Sequence, residues 1–234
     1  MRIDVRPAKK WDAILLEEGD KEKLIMFFGG LGMRIGITEQ PFEFVRTTRY
    51  AKYTKIFIRD AYRIWYQRGL KDLTDTLPDT ISLLKEITDG YENIICVGNS
   101  AGGYGALMFG SALQVNCVHA FSPQTFIDPQ RDARYKQAGT AVKLEIPTIL
   151  DVKPLMTGRT TYFLHYCGGD KLDRLHAERL RSSPNVRLFK YQCNSHVTAK
   201  YLRGRNLLSK IIECETAEDV HNQILSARRQ PPPQ

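Results

Sequence analysis

The run Gly98-Asn99-Ser100-Ala101-Gly102 places a hydroxyl between glycines two residues before it and two after it. A serine hydroxyl is a poor nucleophile, so attack requires a strained turn that holds it clear of the backbone, with room for a strand and a helix to cross closely. Gly98 and Gly102 supply that room. Asn93 to Val97 reads as a buried strand of the parallel type, and Ala101 to about Leu113 reads as a helix. The serine therefore lies in the strand–turn–helix setting that such chemistry needs. The first amides of that helix point at the hydroxyl, which makes Ala101 N–H the expected first donor to a developing oxyanion. A second donor is expected from the loop after an earlier strand: Leu24 to Phe28 runs into Gly29-Gly30-Leu31-Gly32, which puts forward the amides of Gly30 and Leu31. The plain alternative is a turn serine that only caps its helix.

A serine nucleophile needs a base, and the base needs a carboxylate to orient it, in the chain order Ser, Asp or Glu, His. His196 follows the strand Val186 to Tyr191 through Gln192-Cys193-Asn194-Ser195 and is the expected base. Asp170 follows the strand Thr160 to Tyr166 through Cys167-Gly168-Gly169. It is the preferred acid, because its distance from the strand end suits a side chain aimed at the sheet edge. Asp173, further on at the head of a helix running to about Arg181, is the alternative acid, and one of the two is expected to cap that helix. His119 and His165 lie inside strands and read as hydrogen-bonded core residues, while His176 and His221 fall in helical or terminal segments. No His or Cys pair has metal-ligand spacing, and no Gly-x-Gly run opens a βαβ unit with a following acidic residue. No metal and no cofactor are expected.

Elements capable of positioning these residues alternate along the chain. Ala13 to Glu17, Leu24 to Phe28, Lys55 to Ile58, Asn93 to Val97, Val115 to Phe121, Thr160 to Tyr166 and Val186 to Tyr191 read as strands. Between or after them, helices are predicted over Leu77 to Thr88, where Pro78 suits a first turn and Leu77, Ile81, Leu84 and Ile87 share a face, and near Asn206 to Cys214. This pattern predicts a single α/β domain over residues 1–226, with a mostly parallel sheet covered on both faces. A polar, proline-containing stretch at about 122–159 reads as a lid-like insertion. Beyond Ala217 the helical signal fades, and 227–234 reads as a disordered proline-rich tail.

The stretch Ile94-Ile95-Cys96-Val97-Gly98-Asn99-Ser100-Ala101-Gly102-Gly103-Tyr104-Gly105-Ala106-Leu107 resembles the nucleophile region of α/β hydrolases. Leu164-His165-Tyr166-Cys167-Gly168-Gly169-Asp170, continued by His176-Ala177-Glu178-Arg179-Leu180, is similar to that family's acid-bearing loop and helix. The similarity spans roughly Lys23 to Leu208 and implies a three-layer α/β-hydrolase sandwich with a reduced lid, acting as a serine esterase or acyltransferase. More narrowly, Arg59-Asp60, Trp65-Tyr66 and Gly69, with Ala120-Phe121-Ser122-Pro123-Gln124, resemble small hydrolase-like proteins associated with bacterial surface-polysaccharide biosynthesis. That resemblance implies a glycan ester as substrate, with Trp65 or Tyr66 as a stacking wall, and core or lid packing is the plainer and preferred role for both rings. Arg59 is a candidate for an anionic ligand. In the narrower group the acid position corresponds as well to Asp173 as to Asp170, and Phe28 stands where the broader family carries an aromatic residue or histidine.

The 234-residue chain carries a formal charge of +8 and a pI near 9.2. Its basic residues are scattered, and the densest groups, Arg179 with Arg181 and Arg228 with Arg229, lack interleaved aromatics, so no nucleic-acid partner is expected. No apolar run reaches the roughly 18 residues of a membrane span, and Met1 to Lys10 lacks an apolar signal core. Five dispersed cysteines read as reduced thiols used for packing, which suits a cytoplasmic address. The function expected is hydrolysis of a small acyl ester, whether of a small molecule or a glycan. The alternatives are acyl transfer to a sugar hydroxyl and a non-catalytic binding module.

Overall fold

The computed structural model describes residues 13–31, 42–128, 130–132, 135, 149–156 and 158–228. Seven strands form one sheet: β1 (Ile14–Glu17), β2 (Asp20–Phe28), β3 (Tyr53–Ile58), β4 (Asn93–Asn99), β5 (Cys117–Phe121), β6 (Thr161–Cys167) and β7 (Val186–Tyr191), in the order β1-β3-β2-β4-β5-β6-β7. Six of them run parallel, and only β1 pairs antiparallel, at the edge against β3. The apolar continuity of Leu24–Phe28 and Ile95–Val97 reflects a sheet covered on both faces, because a parallel strand has no wet side on which to place polar residues.

Alternate residues divide between two cores. Leu24, Met26 and Phe28 face one side with Val118 and Ala120, while Ile25 and Phe27 face the other with Cys117 and Phe121. The first face is covered by α1 (Leu77–Thr88) and α2 (Ala101–Leu113), and Leu180, just beyond α3 (Lys171–Glu178), packs into the same core. The second is covered by α4 (Thr198–Arg203), α5 (Leu208–Ile211) and α6 (Ala217–Arg228) through Leu202, Leu208, Ile211 and Val220. Helix α1 has the bounds its pattern predicts, with Thr76 as N-cap accepting from the Asp79 N–H.

Several expectations need correction. The helix expected near Asn206 to Cys214 shrinks to α5, and α4 ahead of it carries no expectation from its short, mixed sequence. The signal that fades beyond Ala217 belongs to a full helix, because α6 is amphipathic but weakly apolar and buries chiefly Val220. The start of the expected tail, Ala227 and Arg228, closes that helix, and 229–234 lie outside the described residues. In the stretch at 122–159, positions 129, 133–134, 136–148 and 157 lie outside them as well. Its described ends are packed instead of open, with Phe126 bridging Asp151 antiparallel and Gln124, Thr125, Asp132 and Val152 all buried. Cys167 and Cys193 form a disulfide, which overturns the reading of five reduced thiols and the support it lent a cytoplasmic address. Spacing of 26 residues gave no hint of the pair, because the two cysteines meet only where β6 and β7 end side by side. Among the described residues no helix is long and apolar enough to cross a membrane.

Candidate active site

Strand β4 ends at Asn99 and α2 begins at Ala101, leaving Ser100 in the turn with φ 58° and ψ −119°. A non-glycine residue rarely adopts positive φ, and here the strain lifts the hydroxyl off the backbone. The crossing is as tight as the glycine spacing implies: a β-carbon at Gly98 would lie 2.0 Å from the Gly102 carbonyl oxygen, and one at Gly102 would lie 2.0 Å from that of Phe28. The Ser100 N–H donates to Phe121 O at 2.9 Å, and its carbonyl accepts from the N–H of Gln124 at 3.2 Å, so neighbouring β5 holds the turn in place.

His196 stands in the loop after β7. Its Nε2 is 2.7 Å from Ser100 Oγ, and its Nδ1 is 2.6 Å from Asp173 Oδ1. Because a carboxylate only accepts, Nδ1 carries the proton and the Nε2 lone pair faces the serine hydroxyl. The Asp173 side chain is fully buried, whereas that of His196 keeps 27% of its exposure, open enough to meet a substrate.

The carboxylate against the imidazole is thus that of Asp173, not the preferred Asp170. Asp170 is the N-cap of α3, where its Oδ1 accepts from the N–H groups of Leu172 at 3.0 Å and Asp173 at 2.9 Å. Both aspartates lie on one loop, and capping geometry decides between them. An N-cap side chain must fold back over its own first turn, which leaves the residue three positions on free to project. The loops that carry Asp173 and His196 abut closely: Gly168 N–H donates to Tyr191 O at 2.8 Å, Gly169 N–H to Cys193 O at 2.9 Å, and the Cys167–Cys193 bridge joins them covalently. One turn beyond Asp173, His176 pairs with Asp132 at 2.9 Å and accepts from Thr125 N–H at 2.9 Å, which ties α3 to the 122–132 segment.

Gly30 lies beside the serine. A β-carbon there would sit 2.9 Å from Asn99 O and 3.5 Å from Ser100 Cβ. Ala101 is buried at the head of α2, where the first N–H groups have no acceptor within the helix. Leu31 follows Gly30 and its carbonyl accepts from Arg63 Nη2 at 3.1 Å, while Gly32 lies outside the described residues.

Of the three residues suggested for substrate binding, Trp65 and Tyr66 take no such place. Trp65 is 3% exposed and its indole N–H donates to Gln124 Oε1 at 2.7 Å; Tyr66 is fully buried. Neither ring offers a face to a ligand, so the stacking wall is withdrawn. Arg59 is half-buried with its guanidinium over the Phe42 ring at 5.7 Å. Glu43 carried no expectation, since nothing in Pro41-Phe42-Glu43 forms a motif. Its Oε1 would lie 3.6 Å from a β-carbon at Gly30. Burial pushes its carboxyl up from the ordinary range, against the opposing pull of the Gly30 N–H and the Asn99 side chain.

No family model matches the chain, and no curated protein does. Solved structures do. A capsule O-acetyltransferase of Neisseria meningitidis serogroup A superposes with a TM-score of 0.62 at 16% identity, over 86% of this chain and 90% of that one. FphF, a fluorophosphonate-binding serine hydrolase of Staphylococcus aureus, gives 0.55 at 13% identity over 84% of each chain. The α/β hydrolase MGS-MChE2, from a metagenome of lagoon sediments at Mar Chica, Morocco, gives 0.51 at 19% identity over 91% and 92%. The chain has the α/β-hydrolase fold. Within that α/β-hydrolase sheet, the serine lies after the central β4, and the aspartate and histidine lie after β6 and β7. All three meet at the carboxyl ends of the strands.

Proposed function

We propose that the chain is a serine esterase that cleaves a small acyl ester through an acyl-enzyme on Ser100. The observation that carries this reading is the continuous hydrogen-bonded line from Ser100 Oγ through His196 to Asp173, at 2.7 and 2.6 Å. As Oγ attacks the ester carbonyl, its proton passes to His196 Nε2, and the buried Asp173 carboxylate stabilises the imidazolium. Negative charge on the carbonyl oxygen is met by Ala101 N–H at the head of α2 and by Gly30 N–H, with Leu31 N–H as the neighbouring donor. Collapse of the intermediate expels the alcohol, which takes the proton from Nε2. Water then attacks the acyl-serine by the same route and releases the acid. The residues require no cofactor for any of these steps.

Incubating the folded protein with a fluorophosphonate and mapping the product by mass is expected to place the adduct on Ser100, and Ser100→Ala is expected to lower turnover of p-nitrophenyl acetate by about 10⁵- to 10⁶-fold. Full-length protein that neither labels at Ser100 nor turns over ester would instead support a non-catalytic binding module.

A second reading passes the acyl group to a sugar hydroxyl in place of water. The likeness to a capsule O-acetyltransferase favours it, and the +8 charge suits an acidic glycan. Under this reading an added glycan acceptor gains the acyl group, and release of free acid falls in proportion.

A further inference from the structure

Residues 60–66 form a loop of unusual backbone. Arg63, Trp65 and Tyr66 all have positive φ, at 58°, 58° and 61°. The loop closes around the buried Asp60 carboxylate, whose Oδ1 accepts from Arg63 N–H at 2.9 Å and whose Oδ2 accepts from Ile64 N–H at 2.6 Å and Tyr66 N–H at 3.0 Å. Strain at three residues within four positions needs a reason beyond chain reversal. Two of the hydrogen bonds that the loop makes go to the carbonyls that bracket Gly30. The Tyr66 hydroxyl donates to Gly29 O at 2.8 Å, with Ile58 O further off at 3.2 Å, and Arg63 Nη2 donates to Leu31 O.

In a trans peptide the carbonyl of one residue and the N–H of the next belong to one rigid plane and point in opposite directions. The peptide that presents Gly29 O to Tyr66 therefore presents Gly30 N–H on its other side. Glycine flanks that plane at both ends, so no β-carbon restricts its rotation and hydrogen bonds must hold it. We infer that Tyr66 is a positioning residue for the oxyanion site, its hydroxyl locking the Gly29–Gly30 peptide so that the Gly30 N–H stays aimed at the place where charge develops. The inference rests on the proposed acyl-enzyme chemistry, with Gly30 N–H as a donor. Burial keeps the Tyr66 hydroxyl protonated and so a donor throughout. The Glu43 carboxyl meets the N–H end of the same peptide. Helix α2 makes room for the ring at Gly105, where a β-carbon would lie 2.8 Å from Tyr66 Cδ2.

The test is Tyr66→Phe, which keeps the ring against Phe28 and Phe109 and removes only the hydroxyl. With p-nitrophenyl acetate, kcat is expected to fall about 10- to 100-fold at nearly constant KM, somewhat less than the loss on deleting an oxyanion donor outright. Phenylboronic acid, which becomes tetrahedral on the serine, is expected to lose affinity by a similar factor. A purely structural role would lower the thermal midpoint without this split between kcat and KM. Folded Tyr66→Phe with wild-type kcat, or with boronate affinity unchanged, overturns the inference. Should Tyr66→Phe fail to fold, Gly105→Ala decides, since its methyl group pushes the ring from the helix side: the same kcat-specific loss is expected, and wild-type kcat overturns. Wild-type protein that fails to label at Ser100 marks failure of the underlying reading, whereas labelled wild type with an unaffected Tyr66→Phe marks failure of this inference alone.

Discussion

Two aspartates three positions apart do different work. Asp173 accepts from His196, and Asp170 holds the helix end from which Asp173 projects. Their variants are therefore expected to separate. Asp173→Asn keeps the shape but lets the imidazole take the wrong tautomer, and is expected to lower kcat by about 10⁴-fold with little change in stability. Asp170→Ala loses a cap and is expected to cost about 1 kcal/mol while retaining most activity. Steady-state kinetics beside urea denaturation checks both, and the reverse pattern would reassign the acid. The sequence narrowed the acid to these two residues and then preferred Asp170 on its distance from the strand end, a preference that fails because both spacings reach the sheet edge and the choice depends on which side chain turns back over the helix.

At the scale of elements, strands β5, β6 and β7 share a buried polar line beneath α4–α6. His119 Nε2 meets Cys214 O at 2.8 Å, His119 Nδ1 meets His165 Nε2 at 3.1 Å, and His165 Nδ1 meets the Tyr191 hydroxyl at 2.9 Å. One arrangement of protons satisfies all three contacts with both rings neutral: His119 donates to the carbonyl, His165 donates to His119, and Tyr191 donates to His165. Burial lowers His119 to about 4 and His165 well below its usual value. Both folded values lie under the unfolded value near 6.5, so the unfolded chain binds more protons as pH falls. Stability is full above about pH 6.5 and is lost below it, by about 1.4 kcal/mol per pH unit for each histidine until the folded form titrates. Urea midpoints at pH 7 and pH 5 are expected to differ accordingly, and a His119→Gln/His165→Gln double variant is expected to flatten the slope. Strand placement made these two histidines legible as core residues. Their mutual hydrogen bond was not, since it depends on the register His119–Phe163 and Phe121–His165 across the β5–β6 pair.

For the molecule as a whole, the Cys167–Cys193 bridge ties the ends of β6 and β7 together just ahead of Asp173 and His196. Both cysteines are buried, which makes a Cys167→Ala/Cys193→Ala variant a cleaner probe than added thiol. Its unfolding free energy is expected to drop by about 2–4 kcal/mol, as for closure of a loop of this order. A midpoint identical to that of the parent would show that the bridge contributes nothing to the cooperative unit.

The sequence by itself determined the alternation of strand and helix, the strained turn at Ser100 and the chain order of serine, aspartate-bearing loop and histidine, because these follow from local periodicity and from glycines at fixed offsets. The tertiary structure alone decided that Asp173 faces His196, that Trp65 and Tyr66 are buried, that Glu43 reaches Gly30 and that two distant cysteines meet. Each of these depends on side-chain direction at the carboxyl ends of neighbouring strands. Residues far apart in the chain become neighbours there only after the sheet has closed, and no spacing along one chain encodes which way a side chain then points.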